Sequence, residues 1–416
     1  MRKRIGNLGG LAGLVTILML FFCLPIQASG ENLKIGVILP LTGPCADIGQ
    51  HGKQGLLLAV EEINASGGIL GRQIELVFAD DESNPASGVA AVERLITRDN
   101  VDVMAGTYNS SVAMAVMDVP AKYGMPYIMG GPTSDQIGLK IASNPEKFRT
   151  CYKIVSPSYI YGKAWIWFWE EMLDQKQYTP DSKNIVLVNG NSAWGNAIGD
   201  SIYKFLRESH LYKEGYRIVL RDRVPIGETD FLAIMSKIKA YKPGIVFGIF
   251  SAVPTNAAFQ KQLVDSGIRV PVCAGYTPNN PEFISLAGSA AEGLMWNTPV
   301  SVLPTKEGEH FRKAIWNKFG KEVEVFGSLV YDSIYIIKEA YERANSFDRD
   351  KFLKAMDKTR HVGVAGIFTF NPKTHEGIAG EDFLPARVYQ IQNGKSLAIW
   401  PRNHSKGSYV VPSWMK

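Results

Sequence analysis

Two short segments rich in hydroxyl residues and glycine could hold an anion. In GTYNSS, residues 106–111, Thr107, Ser110 and Ser111 follow Val101, Val103, Met104 and Ala105, an apolar run of strand length. Gly106 permits a tight turn, and Ser110 or Ser111 is a preferred N-cap for a helix that follows. A helix opening from a strand end offers free N–H groups and a partial positive charge, which favour a carboxylate or phosphate. An ordinary serine-capped turn has the same pattern, so the surrounding chain must decide between them. The second segment, GGPTSD at 130–135, closes another short apolar run and carries Gly131 and Thr133.

Groups for covalent or metal chemistry are not arranged for it. There is no GxSxG, HExxH, CxxC, Walker-type or GxGxxG pattern, and Ser192 in NSAWG lacks the second glycine of a nucleophile elbow. The six histidines are scattered without a ligand pair. Binding without turnover, with neither metal nor cofactor, is the expectation.

The elements that must position these loops alternate. A buried strand is expected at 33–39, ending at Pro40; the glycine-rich LTGPCADIGQHGKQG then leads to a helix at 54–64, stopped at Ser66-Gly67-Gly68. A strand at 74–79, a helix at 89–98, the strand and helix around GTYNSS and the strand before GGPTSD follow. After Cys151 a second block repeats the layout. Its helices are expected at 161–173, 196–209, 231–241 and 256–266, and its strands at 185–188, 216–220, 245–249 and 270–274. Helices at 309–319 and 328–344 and strands at 366–370 and 387–391 come last. Such alternation means α/β architecture with parallel, doubly wound sheets, whose ligands lie beyond the carboxyl ends of strands. The aromatic run Trp165, Trp167, Phe168, Trp169 is read as packing rather than as a binding box.

The N-terminus is set apart. Arg2, Lys3 and Arg4 precede an apolar stretch at 11–24, and Ile26-Gln27-Ala28 ends in a small residue, so residues 1–28 read as a cleaved signal peptide. Lipidation at Cys23 is disfavoured by Phe21 and Phe22, where that processing wants small residues. Without the three basic residues of the leader the formal charge falls from +5 to +2, which calls for no nucleic acid. Cys45, Cys151 and Cys273 remain, enough for one disulfide at most. No second long apolar run follows, so the mature chain is expected to be exported and soluble.

KIGVILPLTGP, GKQGLLLAVEEINASGGILGRQIELVFADDESNP, the GTYNSS and GGPTSD loops, AEG at 291–293 and GIFTFNPKTHEG together resemble the periplasmic branched-chain amino-acid-binding (Leu/Ile/Val-binding-like) family. INASGGILGR is the most specific part. The resemblance covers essentially all of the mature chain. It implies the type I periplasmic binding protein fold: two doubly wound parallel-sheet lobes joined by a three-strand hinge, with a small solute enclosed between them. Lobe 1 would comprise 33–152 and 301–363, and lobe 2 would comprise 153–300 and 364–416. The implied role is the monomeric periplasmic receptor of an ABC importer, delivering its solute to a membrane permease.

Carried over residue by residue, Ser110 matches the hydroxyl and N–H that hold the ligand carboxylate. Gly131 and Thr133 match positions that bind the carboxylate and ammonium. Trp194, expected in the loop after the second lobe's first strand, matches an aromatic that closes over the ligand. Tyr108 and Asn109, beside Ser110, and Ile48, in the first glycine-rich connection, complete the candidate set. Two positions depart: Tyr276 stands where the family has the acidic partner of the ammonium, and Ala252 where a second aromatic is usual. A buried ammonium without a carboxylate costs several kcal/mol. Either Asp47, Asp135 or Glu282, in neighbouring cleft loops, compensates, or the ligand is an aromatic or aliphatic carboxylate or an amide on which Trp194 stacks. A ligand sensor for a separate receptor is the other reading of the same clamshell.

Overall fold

Apolar runs of three to eight residues between helices form two sheets in this computed structural model, which describes residues 31–322 and 324–416. The leader expected at 1–28, with Cys23, lies outside the described residues. The first sheet holds β1 (Leu33–Leu39), β2 (Ile74–Asp80), β3 (Val103–Gly106), β4 (Tyr127–Met129) and β5 (Cys151–Lys153), all parallel in the order β2-β1-β3-β4-β5. The second holds β6 (Asn184–Gly190), β7 (Arg217–Val224), β8 (Ile245–Ile249), β9 (Val272–Ala274) and β10 (Met295–Thr298) in the equivalent parallel order β7-β6-β8-β9-β10. A separate hairpin pairs β11 (His361–Gly363) with β12 (Gly366–Phe368). The doubly wound cores expected from the sequence are present. On the second, an antiparallel hairpin, β13 (Arg387–Gln392) and β14 (Lys395–Trp400), extends the edge beside β10. Asn393-Gly394 turns this hairpin with φ of 51° and 70°, the positive values that a type I′ turn requires.

The chain passes between the sheets three times: after β5, after β10, and between β12 and β13. In the last passage Glu376 bridges to Lys153 at the end of β5. No helix of the described residues is long and apolar enough to cross a membrane. The aromatic helix, Tyr159–Asp174, buries Trp165, Phe168 and Trp169 and leaves Trp167 half exposed, as packing requires.

Several helices begin earlier than their periodicity suggests. The first, Ala46–Ala65, absorbs two thirds of the glycine-rich connection. Gly49, Gly52 and Gly55 disfavour a helix intrinsically, yet each meets a neighbour closely. A Cβ on them would lie 1.9 Å from Pro40 O, 2.6 Å from Phe326 Cε1 and 2.0 Å from Gly327 O. Close packing against the helix Val325–Ala344 overrides propensity there. Ile48 therefore sits on a helix, not in a loop.

Candidate functional site

In both parallel cores the strand order reverses beside the first strand, so a crevice opens between β1 and β3 and between β6 and β8. The loops leaving these four strands meet across the interlobe cleft. Tyr108, after β3, donates its hydroxyl to Ser251 O, after β8, at 2.7 Å. Ala193, after β6, donates its N–H to Ser111 Oγ at 2.9 Å. Further out, Asn280 Nδ2 donates to Asp47 Oδ2 at 3.2 Å and Val325 N to Asn279 Oδ1 at 2.8 Å. The two lobes are closed on each other.

Between them lies a cavity of about 10 Å³, room for about one water. The first lobe lines it with Tyr108, Asn109, Ser110, Ser111 and Gly131, the second with Ser192, Trp194, Ser251 and Tyr276. The structure thus brings together six of the nine residues singled out from the sequence. Thr133 lies two residues beyond Gly131, buried, with no hydrogen-bond partner for Oγ1. Ile48 and Ala252 are buried but do not line the cavity; Ala252 precedes the helix Val253–Asp265.

On the first lobe, Gly106 turns the chain with φ of 103°, and a Cβ there would lie 2.5 Å from Ile38 O. Thr107 also takes a positive φ, 64°, a strained conformation for a β-branched residue at the mouth of the site. The helix that follows, Ser110–Val116, has Asn109 at its N-cap position, not Ser110 or Ser111 as expected. Asn109 makes no side-chain cap because its amide reaches Cys45 Sγ at 3.6 Å, leaving Oδ1 unpartnered. Ser110 Oγ accepts from Ser134 N at 3.2 Å, which leaves its own proton for a ligand. Gly131 is fixed by packing: a Cβ would lie 2.6 Å from Phe326 Cε2. The GGPTSD loop is pinned from below by Lys153, fully buried, whose Nζ donates to Thr133 O at 3.1 Å and Ser134 O at 3.3 Å and pairs with Glu376.

On the second lobe, the helix Ala193–Glu208 starts at Ser192, whose Oγ accepts from Gly195 N at 3.0 Å. Trp194 is therefore in the first helical turn rather than in a loop, a correction to the position expected for it. Its ring meets Tyr161 and Tyr276 edge-on at 5.9 and 5.8 Å and covers Gly275, where a Cβ would lie 2.6 Å from Cη2. Tyr276 OH has no partner. Burial holds the Tyr108 and Tyr276 phenols well above their ordinary range, so both stay neutral. Burial likewise pushes the Cys45 thiol up to about 11.

Among the described residues no carboxylate lines the cavity. Asp47 is held by Asn280, Asp135 accepts from Tyr159 N at 3.2 Å, and Glu282 faces His51 at 3.4 Å and Lys321 at 3.8 Å. Sequence reasoning missed Ser251, whose backbone carbonyl accepts from Tyr108, and the Lys153–Glu376 pair, whose members lie far apart in the chain. It also passed over Glu324, at the start of the helix Val325–Ala344. Cys45, Cys151 and Cys273 are buried and free.

A family model described as "Periplasmic binding protein" matches residues 32–395. The Leu/Ile/Val-binding protein homolog 3 of Brucella melitensis biotype 1 is 29% identical over 338 residues, covering 81% of this chain and 85% of its own. Among solved structures, the branched-chain amino acid transporter substrate-binding protein LivJ of Streptococcus pneumoniae, in complex with isoleucine, superposes with a TM-score of 0.74. Its identity is 24%, over 88% of this chain and 98% of its own. A solute-binding protein of an ABC transporter from R. palustris, in complex with benzoate, superposes with a TM-score of 0.73 at 22% identity, over 88% and 95%.

Proposed function

The chain belongs to the periplasmic binding protein family, a family of extracytoplasmic solute-binding proteins, and from that premise we propose that it binds a small carboxylate-bearing solute between its lobes for an ABC importer. The observation that carries this reading is the convergence of unpartnered buried polar atoms on one interlobe cavity. Asn109 Oδ1 and Tyr276 OH belong to lining residues from opposite lobes, Thr133 Oγ1 lies two residues beyond the lining Gly131, and Ser110 has a hydroxyl proton to give. Buried polar groups are costly unless paired, and a ligand carboxylate would pair them.

A cavity of about 10 Å³ holds no leucine or benzoate, so entry requires the lobes to part and Tyr276 to shift. The contacts opposing this are a handful of hydrogen bonds at ~1 kcal/mol each, with the partly exposed Glu282 carboxylate facing His51 and Lys321 at the rim. Reclosure on the solute then brings Trp194 down over a ligand already held by Ser110 and Thr133, and the closed receptor is what the permease recognises. The lobes divide as 33–152 with 301–363, and 153–300 with 364–416, and the receptor works as a periplasmic monomer that releases its solute unchanged.

A branched-chain or related amino acid fits the curated relative, itself a Leu/Ile/Val-binding homologue. The absence of a carboxylate on the cavity wall favours a second reading, an aromatic or aliphatic acid, as in the benzoate-bound neighbour. A thermal-shift screen against amino acids, aromatic acids and amides separates them. A true ligand at 100 times its dissociation constant stabilises by about 2.7 kcal/mol. No shift with any carboxylate would refute the reading, and so would a bound solute recovered as a chemically altered product.

A further inference from the structure

Glu324 is a buried carboxylate beside the cleft that takes no part in the polar contacts between the binding loops. It is 1% exposed, and its side-chain oxygens have no partner at full hydrogen-bond geometry, although the Phe326 N–H lies near enough to favour the charged form. It occupies the N-cap position of the helix Val325–Ala344 without capping it. Two residues further on, Phe326 packs its ring 5.3 Å from Tyr108 and wedges against Gly131, so the segment backs directly on to the binding loops. Its neighbours do not neutralise it. Its backbone N–H donates to His51 Nδ1 at 3.1 Å, and burial holds His51 below its ordinary value, hence neutral. Asp47 and Glu282 add repulsion, and Lys321 leans on Glu282 instead. The groups that feel the Glu324 charge from the cleft side are the phenols of Tyr108, Tyr276 and Tyr161.

Leaving an acid buried and unpaired is expensive, and a fold keeps such a group where something else supplies the partner. Tyr276 lines the cavity, and its buried phenol feels the Glu324 charge. We propose that Glu324 supplies, from the first lobe, the negative charge that faces a cationic group of the solute, so that the ligand is a zwitterionic amino acid rather than a plain carboxylate. This rests on the interlobe cleft being the solute site. It also explains how Tyr276 can stand where an acid was expected: the charge has moved to the helix start behind it.

Burial pushes the Glu324 carboxyl up to about 8, so at pH 7 it is mostly protonated until a cation arrives. The groups facing it, His51, Asp47, Glu282, Tyr108 and Tyr276, offer no competing positive charge. Binding of a cation should therefore expel close to one proton.

The test is calorimetry with L-leucine and with 4-methylpentanoate, which has the same skeleton without the amine. In the unmodified protein at pH 7, measured in buffers of different ionisation enthalpy, leucine should release about one proton and 4-methylpentanoate none. Glu324→Gln should weaken leucine more than tenfold and leave 4-methylpentanoate within about twofold. Without ligand it should melt within a degree or two of the parent, since at pH 7 it replaces a mostly protonated carboxyl by a neutral amide of the same size. Unchanged leucine affinity in Glu324→Gln, or equal proton release with both probes, would overturn the assignment. A parent that binds benzoate or 4-methylpentanoate but not leucine would overturn it too, while leaving the carboxylate receptor standing. A parent that binds none of the three would remove both.

Discussion

The two lobes share a strand order and divide the work. Each presents its ligand loops at the reversal beside its first strand, β1 and β3 in one, β6 and β8 in the other. The loops differ in kind. Those of the first lobe are built from glycines, hydroxyls and amides held rigidly, with Gly106 and Thr107 in positive φ, Gly131 wedged against Phe326, and Lys153 clamping the Thr133 loop from beneath. Those of the second lobe bring Trp194 and Tyr276, large rings in edge-on contact, and little polar anchorage. Topology places the loops, while residue type decides which half recognises and which half covers. A preorganised polar half fixes the orientation of an anion, and a deformable aromatic half takes up its shape.

The largest way to break this contrast is Lys153→Met. It strands Glu376 and frees the Thr133 and Ser134 carbonyls, and should cost about 3–5 kcal/mol in denaturant unfolding, the range for halving a buried ion pair. A loss under 1 kcal/mol would mean that the loop is held by something else. Trp194→Ala tests the other half. It should cost about 3 kcal/mol of stability, through the space left against Gly275 and Tyr161, and weaken solute binding more than tenfold. Equal affinity with reduced stability would make Trp194 a packing residue only. Ser110→Ala should shift the balance toward binding, costing about 1.5–3 kcal/mol of carboxylate affinity and about 1 kcal/mol of stability, the latter because it strands the buried Ser134 N–H. Tyr108→Phe is the mildest. It removes the bond to Ser251 O, about 1 kcal/mol of closure, and should speed hydrogen exchange at the Ala193 amide about fivefold without ligand.

The parallel cores were legible because buried strands and amphipathic helices alternate at the right lengths, and β1, at 33–39, matches its expected span residue for residue. Helix starts were less so, since Gly49, Gly52 and Gly55 look like loop until Pro40, Phe326 and Gly327 are seen packed against them. The Asn393-Gly394 turn carried a readable hairpin signature that went unused. Most of the candidate site was legible from local pattern and resemblance, because its residues cluster in loops after strands. Glu324 was not, because its meaning depends on burial behind Tyr108 and Tyr276, residues over 40 positions away, and on having no partner there.

The central claim is that one solute is held by both lobes at once, and amide hydrogen exchange with and without a ligand from the thermal-shift screen tests it most directly. The account predicts that saturating ligand slows exchange together at Ser110 to Val112 in the first lobe and at Trp194 to Asn196 in the second. Protection confined to one of these segments, or appearing only elsewhere in the molecule, would contradict it.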